Sequence, residues 1–430
     1  MGGRIPVLLL TIDTLRRDRF TEACFPRSMD WFADDFAIFS NALSHGNSTP
    51  FAFPAILTSH PVVGDGEFPD GARTIAESMS DRPCFGFSNN AHLDASRGYD
   101  RGFTAFGPYP PDDMTLKQRL KQHAVIGDSD TVYAAYRSVK RIRHAVADLT
   151  GVGDGDPFPN PLTPGDVVTD FVTRQLESHP SAFAWGHYMD PHVPYHPDLA
   201  IDGPETDRSR RELEALYERY LGETELPDTP ETRADLELLQ ALYESNVRYV
   251  DRELDRLFGW LSDRNIYEDA LIVVVGDHGE LFGEGGIVYH PWDVDPVDGL
   301  VRTPLLVKYP ENAYGGIRFD HLVQHADIPP TISDVLDLPS SFWSSTAYPL
   351  TDTRPRRVVS KSNTAIRLTE PDAVAYKRRN GTEDGVDTLS ERGRALLEAS
   401  EYPSTKTSSG EVAGVAEAER QKQLAALGYR

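Results

Sequence analysis

Leu271-Ile272-Val273-Val274-Val275-Gly276-Asp277-His278-Gly279-Glu280 is an apolar, β-branched run that stops on an aspartate and a histidine. A run of this length without alternation fits a strand buried on both faces, the kind found inside a parallel sheet covered by helices. Asp277 and His278 then stand at the strand's carboxyl end, where open α/β sheets bind their ligands. A carboxylate beside an imidazole is a donor pair for a divalent cation, and Gly276 and Gly279 allow the backbone to turn sharply around it. The same residues also read as a helix N-cap by Asp277 beside a surface histidine. The rest of the chain has to separate the two.

Four other stretches share this short, apolar character: Val7 to Ile12, Cys84 to Phe87, Ala182 to His187 and Thr303 to Lys308. Helical periodicity lies between them, most clearly from Arg233 to Arg264, where Leu239, Leu242, Val247, Val250, Leu254, Leu257 and Leu261 recur on one face. Strands alternating with helices predict an α/β fold, a large, mostly parallel sheet with helices on both faces. Residues 114–149 form a second helical region rich in Arg and Lys, followed by a Gly/Pro-rich linker through Pro164, so a helical insertion over about 106–165 is expected. Its basic residues would attract an anionic substrate, although such charge runs are usually solvated helix faces. Residues 339–430 are more polar and end in an amphipathic helix around Val415 to Leu427. The chain therefore divides into a catalytic part over 1–338 and a smaller C-terminal subdomain over 339–430.

With 430 residues and 39% hydrophobic content the chain can bury a large core. Its 43 basic and 67 acidic residues leave a formal charge of −24, which repels nucleic acid and anionic membranes. The acidic, Lys-poor balance suits a high-salt, halophilic cytoplasm; an ordinary acidic enzyme carries it too. Cys24 and Cys84 form no CxxC pattern, so neither a disulfide framework nor a thiolate cage is expected. The apolar run after Met1 is too short for a secretory h-region, and no stretch approaches the roughly 20 apolar residues that span a bilayer. A cytoplasmic location is expected.

Asp13 ends the first strand as Asp277 ends a later one, and two carboxylates brought to adjacent strand ends need a cation to relieve their repulsion. Between them, Ser48 and Thr49 precede a segment that reads as a helix, Pro50 through Ser59. Its backbone N–H groups would hold a tetrahedral oxyanion, and a hydroxyl placed there gains from both the ion and the helix dipole. Simple N-capping is the other reading of this pair. His187-Tyr188-Met189-Asp190-Pro191-His192-Val193-Pro194-Tyr195 is too Pro-rich for a helix, so its imidazoles are expected on a loop at the sheet's edge. His290 follows Asp277 by 13 residues, past a Gly-rich loop. Either His192 or His290 is suited to binding ester oxygens or protonating a leaving group.

In these residues the chain resembles the sulfatase family within the alkaline phosphatase superfamily. The matching segments run in order from Leu10-Thr11-Ile12-Asp13 to Asp18, Phe53-Pro54-Ala55-Ile56-Leu57-Thr58-Ser59 and Gly98-Tyr99-Asp100-Arg101-Gly102-Phe103. They continue through His187 to Tyr195, Tyr249-Val250-Asp251, Gly276 to Glu280, Asp327 to Thr331 and Leu424 to Tyr429. The resemblance implies an alkaline-phosphatase-like sandwich, a large sheet flanked by helices with a smaller C-terminal sheet. It further implies one divalent ion on Asp13, Asp277 and His278, with Thr49 at the place of the nucleophile and as a further ligand. Calcium, magnesium, zinc and manganese all suit such a donor set, with room for a second ion.

Two departures matter. Formylglycine sulfatases carry Cys or Ser followed by x-Pro-x-Arg, whereas Thr49-Pro50-Phe51-Ala52-Phe53 offers no residue that yields that aldehyde and no Arg. Thr14 stands where many members have a second Asp ligand. The expected function is therefore metal-dependent hydrolysis of a sulfate or phosphate ester, of a small molecule or glycan, by direct attack of the Thr49 alkoxide with His192 and His290 on the transferred group. The spacing from Asp277-His278-Gly279-Glu280 to Tyr289-His290 is similar to that of phosphoethanolamine transferases, which makes a phosphoryl or substituted-phosphoryl transferase the second reading. A non-catalytic relative that binds an anionic glycan is the third.

Overall fold

The computed structural model describes residues 5–62, 66–107, 164–195, 199–209 and 225–403, with scattered positions between 210 and 224. The expected helix over 114–149, nearly all of the expected insertion and the closing helix at Val415 to Leu427 lie outside the described residues.

Eight strands form the large sheet: β1 Val7–Ile12, β2 Ala37–Leu43, β3 Cys84–Phe87, β4 Ala105–Phe106, β5 Phe183–Tyr188, β6 Leu271–Gly276, β9 Leu305–Lys308 and β10 Arg318–Gln324. They lie in the order β10-β2-β9-β6-β1-β5-β3-β4. Two short strands, β7 Leu281–Phe282 and β8 Val288–Tyr289, make a separate hairpin beyond β6. The sheet is parallel except for β9, which runs antiparallel to both β6 and β2. β1 shows why it is buried on both sides: Leu8, Leu10 and Ile12 join the core beneath the long helix, while Val7 and Leu9 join the core on the opposite face.

Register places the functional residues. Along β1, Val7 is level with Phe183 on one side and Leu271 on the other, and Ile12 is level with Tyr188 and Gly276. The residues that follow, Asp13 and Asp277, therefore leave adjacent strands at the same height, where strand spacing is only about 4.8 Å.

The boundaries differ from the sequence reading for local reasons. β5 begins and ends one residue later than expected, so His187 stands inside a strand and only His192 lies on the loop. β9 starts at Leu305 because Pro304 has no N–H for the ladder. The long helix runs Pro230–Asp263, three residues earlier than its apolar periodicity, because Thr229 accepts from Thr232 N–H and Pro230 opens the first turn. Gly276 and Gly279 are not turn formers. A Cβ would lie 2.6 Å from Leu15 O at the first and 2.0 Å from Gly299 O at the second, so both permit close backbone approach. Among the described residues, no helix is long and apolar enough to cross a membrane.

The C-terminal residues build a second, antiparallel sheet, β11 Val358–Lys361, β12 Ala365–Glu370, β13 Ala373–Arg378 and β14 Glu383–Asp384, packed by the helix Glu391–Ala399. It is joined to the large sheet at a specific place. His45 Nδ1–H donates to Val359 O at 2.9 Å, Lys361 N–H donates to His45 O at 2.9 Å, and Gly46 bridges to Lys361. The segment 44–47 that leads into the Thr49–Thr58 helix is thus held by β11.

That helix folds back so tightly that a Cβ on Gly46 would stand 2.2 Å from Phe51 Cβ and 2.6 Å from its carbonyl carbon. Gly46→Ala is expected to destabilise the protein by about 1–3 kcal/mol through overpacking. Gly259→Ala, in the long helix with nothing within 4 Å of the new Cβ, should instead stabilise by up to about 1 kcal/mol. Urea denaturation of both variants checks the contrast.

Candidate active site

Asp13, Thr49, Asp277 and His278 meet beyond the carboxyl ends of β1 and β6, all fully buried. Asp277 Oδ1 accepts two backbone bonds, from His278 N–H at 2.7 Å and Thr14 N–H at 3.1 Å, and no helix follows it. Asp277 is therefore not a helix cap. Thr14 reaches this position with φ of 55°, in the left-handed region, and turns its hydroxyl away to Pro191 O at 2.9 Å. It contributes its backbone to the site rather than its side chain.

Asp13 Oδ2 is crowded with donors: Asn90 Nδ2 at 2.9 Å, His187 Nε2 at 3.1 Å and the Thr49 hydroxyl at 3.4 Å. Asp13 Oδ1 and Asp277 Oδ2, in contrast, are buried with no hydrogen-bond partner among the described residues. Both lie 3.6 Å from His278 Nε2. His278 Nδ1 is 2.8 Å from Gly279 O, and because a carbonyl can only accept, the ring proton sits on Nδ1. His278 Nε2 is then a lone pair aimed at two carboxylate oxygens that lack a hydrogen-bond partner among the described residues, an arrangement that a cation would satisfy.

His187 is also close, with one ligand atom each from Asp13, His187 and Asp277 lying within 4.8 Å of one another. Its other nitrogen assigns it a different task. Trp185 Nε1–H donates to Thr11 Oγ1 at 3.0 Å, so the Thr11 proton is left for His187 Nδ1 at 2.9 Å or Gly186 O at 3.4 Å. The shorter bond makes Nδ1 the acceptor and Nε2–H the donor that orients Asp13. The sequence reading counted His187 among the loop imidazoles without giving it a role, and passed over Asn90. For Asn90 a signal existed, a pair of Asn residues just past the carboxyl end of a buried strand.

Thr49 is the first residue of the Thr49–Thr58 helix and Ser48 its N-cap, yet neither side chain caps it. Thr49 Oγ1 lies 3.3 Å from His278 Nε2 and 3.4 Å from Asn90 Nδ2, and Ser48 Oγ is buried with no partner. The expected oxyanion cradle of backbone N–H groups is mostly spent. Phe51 and Ala52 N–H both donate to Ser48 O, and Pro50 has none to give.

His192 and His290 stand on the other side of His278, with ring centroids 5.0 Å apart and His290 4.6 Å from His278. His192 Nδ1 is bonded to Val193 O, so its proton is on Nδ1 and Nε2 is an acceptor. His290 Nδ1 instead meets the carboxyl of buried Glu280 at 2.9 Å.

Burial sets the charges. It pushes His278 down to about 3 and His290 to about 4, and lowers His192. Burial raises Glu280 to about 8, so near neutrality the Glu280 proton bonds to His290 Nδ1 and His290 presents Nε2–H. Burial and the charge on Asp13 hold Asp277 well above the ordinary carboxylate range. Asp13 goes the other way, burial being outweighed by the surrounding imidazoles and the His187 bond. The bonds to these two carboxylates come from backbone, Asn, Thr and His groups, so near neutrality no Lys or Arg offsets a second negative charge there. The residues fit a divalent ion.

The fold has known counterparts. The structure resembles a phosphonate monoester hydrolase of Agrobacterium radiobacter, with a TM-score of 0.60, 16% identity and coverage of 98% of this chain and 95% of that one. It also resembles the 2-O GAG sulfatase BT1596, with a TM-score of 0.59, 14% identity and coverage of 93% and 88%. A choline-sulfatase of Rhizobium meliloti (strain 1021) is 30% identical over 95 residues, 22% of this chain and only 17% of that protein's length. The sequence pattern of the Sulfatase family matches residues 6–338, and the chain belongs to that family, within the alkaline phosphatase superfamily.

Proposed function

We propose that this member of the family is a divalent-metal-dependent hydrolase of a sulfate or phosphate ester, with the Thr49 hydroxyl as nucleophile. The observation that carries the reading is the position of Thr49 Oγ1, 3.3 Å from the bare nitrogen of His278 and turned away from the helix end it would otherwise cap. Asp13, Asp277, His278 and Thr49 would hold the ion, which supplies a lowered hydroxyl pKa and a positive charge beside the ester oxygens. The two carboxylates suit calcium or magnesium, and the imidazole shifts the preference toward zinc or manganese.

The protein's own groups divide the remaining work. Asp13 Oδ2 is the carboxylate oxygen placed to take the Thr49 proton. Asn90 Nδ2 steadies both partners as a donor. As the bond from Thr49 Oγ1 to sulfur or phosphorus forms and the ester C–O oxygen departs, His290 Nε2–H protonates that oxygen while Glu280 passes its own proton to Nδ1. His192 Nε2, held as an acceptor, then takes a proton from the water that attacks sulfur or phosphorus, and as the bond to Thr49 Oγ1 breaks Asp13 returns the proton to that oxygen. A transferase would share the first half and pass the group to an alcohol instead of water. The His290 position after β8 keeps that reading open, and a turnover that requires an added alcohol would select it.

Thr49→Ala should abolish hydrolysis of aryl sulfate and aryl phosphate esters with little change in stability, since Thr49 caps nothing. Ser48→Ala, which deletes a buried hydroxyl with no partner, should be mild or slightly stabilising. Rates measured beside urea melts decide it; full activity in folded Thr49→Ala removes this nucleophile.

Asp277→Asn separates metal from fold. In chelator the native Asp277 carboxyl keeps its proton above 3.8, where the unfolded chain releases it, so this group makes wild-type stability fall as pH rises from there. His278, with its native value lowered to about 3 from 6.5, adds the opposite slope between those values. The Asn variant lacks the first slope, and near neutral pH without metal it should melt at or above wild type. Excess divalent ion should add RT ln(1 + [L]/Kd) to the unfolding free energy of the wild type only, and so raise only its melting temperature. Equal destabilisation of the variant with and without metal would refute the site.

A further inference from the structure

Three segments that carry site residues converge a second time, two positions further on. Phe51 follows Thr49, His92 follows Asn90, and Trp292 follows His290. The Trp292 ring lies 5.8 Å from Phe51 and 5.3 Å from His92 by centroid, tilted 60° to each. Phe51 is 1% exposed and His92 fully buried, whereas Trp292 is only half-buried, so the two inner rings back an indole that keeps an open part. His92 is tied to the site directly, its N–H donating to Asn90 Oδ1 at 2.9 Å.

The loop that carries the indole is also fixed in place. Asn47 Nδ2, two residues before Thr49, donates to Pro291 O at 2.8 Å. From the C-terminal sheet, Asn363 N–H donates to Trp292 O at 2.8 Å and the Thr364 hydroxyl to Asp293 O at 2.7 Å. Arg378 pairs with Asp295 at 2.6 Å, and Arg367 with Asp298 at 2.5 Å. A large aromatic surface, backed by Phe51 and His92 and carried two residues beyond His290 on a loop held from both sides, is preorganised for a ring.

We propose that Trp292 is the leaving-group platform of this site, selecting esters whose alcohol part is a ring with an apolar face, aryl or pyranose. The proposal rests on the ester-binding reading above and deepens it. The chemistry is stacking of the ring, or of its C–H face, on the open part of the indole, while the anionic head lies toward His290 and Thr49.

The test is binding by calorimetry to the full chain with divalent ion present, using phenylphosphonate, glucose 6-phosphate and methylphosphonate. Trp292→Ala should weaken phenylphosphonate about 5- to 10-fold and leave methylphosphonate unchanged, and Trp292→Phe should restore most of the loss. A parallel loss for glucose 6-phosphate assigns sugar rings to the platform, and loss on the phenyl probe alone assigns aryl rings. Equal weakening of all three probes, or of none, overturns the proposal, as does a wild type that binds phenyl- and methylphosphonate equally. A wild type that prefers the phenyl probe but hydrolyses no ester keeps the platform and discards the hydrolase reading.

Discussion

Two carboxylates at the same height on adjacent parallel strands are the constraint around which this molecule is arranged. β1 and β6 must pair in the register that buries their apolar side chains, and that register delivers Asp13 and Asp277 to one dry spot. Like charges at such separation cannot both ionise without help, so the fold by itself leaves one carboxyl neutral and two oxygens unpaired. The stability that the sheet gains from burial is spent in part on this site, which a cation would complete. Under the proposed reading function and strain share one origin, and the ion would be a structural partner as much as a chemical one.

Everything near this spot is held from outside it. The Thr49 helix is buried on every side and closes against Gly46, whose neighbours are paired with β11 of the small sheet. The loop after His290 is pinned by the same sheet through Arg367, Arg378, Asn363 and Thr364. The C-terminal residues thus grip both the segment that brings in the hydroxyl and the segment that brings in the imidazole. Supporting contacts of this kind keep reacting groups within the narrow tolerances that catalysis requires.

The parts of this arrangement that announce themselves in sequence are those with a local cause. The β6 run ending on Asp277-His278 needed no partner to be recognised, and Asp13 followed by the same logic from β1. The capping reading of Asp277 also had a local basis, and it fails only because Thr14, far away in sequence, supplies the N–H instead of a following helix. β2 and β10 went unread because their residues are paired across long separations and mix polar with apolar positions, and β4 because it is only two residues, Ala105–Phe106. The roles of Asn90, His187 and Glu280 are hidden for a related reason, since each matters through a residue that another strand brings alongside it. A hydroxyl pair before a helix likewise cannot show whether it caps or reacts until His278 and Asp13 are placed against it.

Four imidazoles surround the site, and their tasks are separated by what the far nitrogen touches. His278 and His192 each give Nδ1–H to a backbone carbonyl and so offer a bare Nε2, one toward the orphaned carboxylates and one toward the transferred group. His290 meets an acid raised by burial and so offers Nε2–H. His187 meets a threonine hydroxyl already committed as an acceptor to Trp185, which turns its own Nε2–H onto Asp13. A carbonyl, a carboxyl and a hydroxyl thus impose different tautomers on one side-chain type, leaving a bare nitrogen on His278 and His192 and an N–H on His290 and His187. Under the proposed reading the same logic extends to position 49, where an unmodified threonine hydroxyl would meet a carboxylate oxygen of Asp13 and an amide donor of Asn90 that these partners already fix.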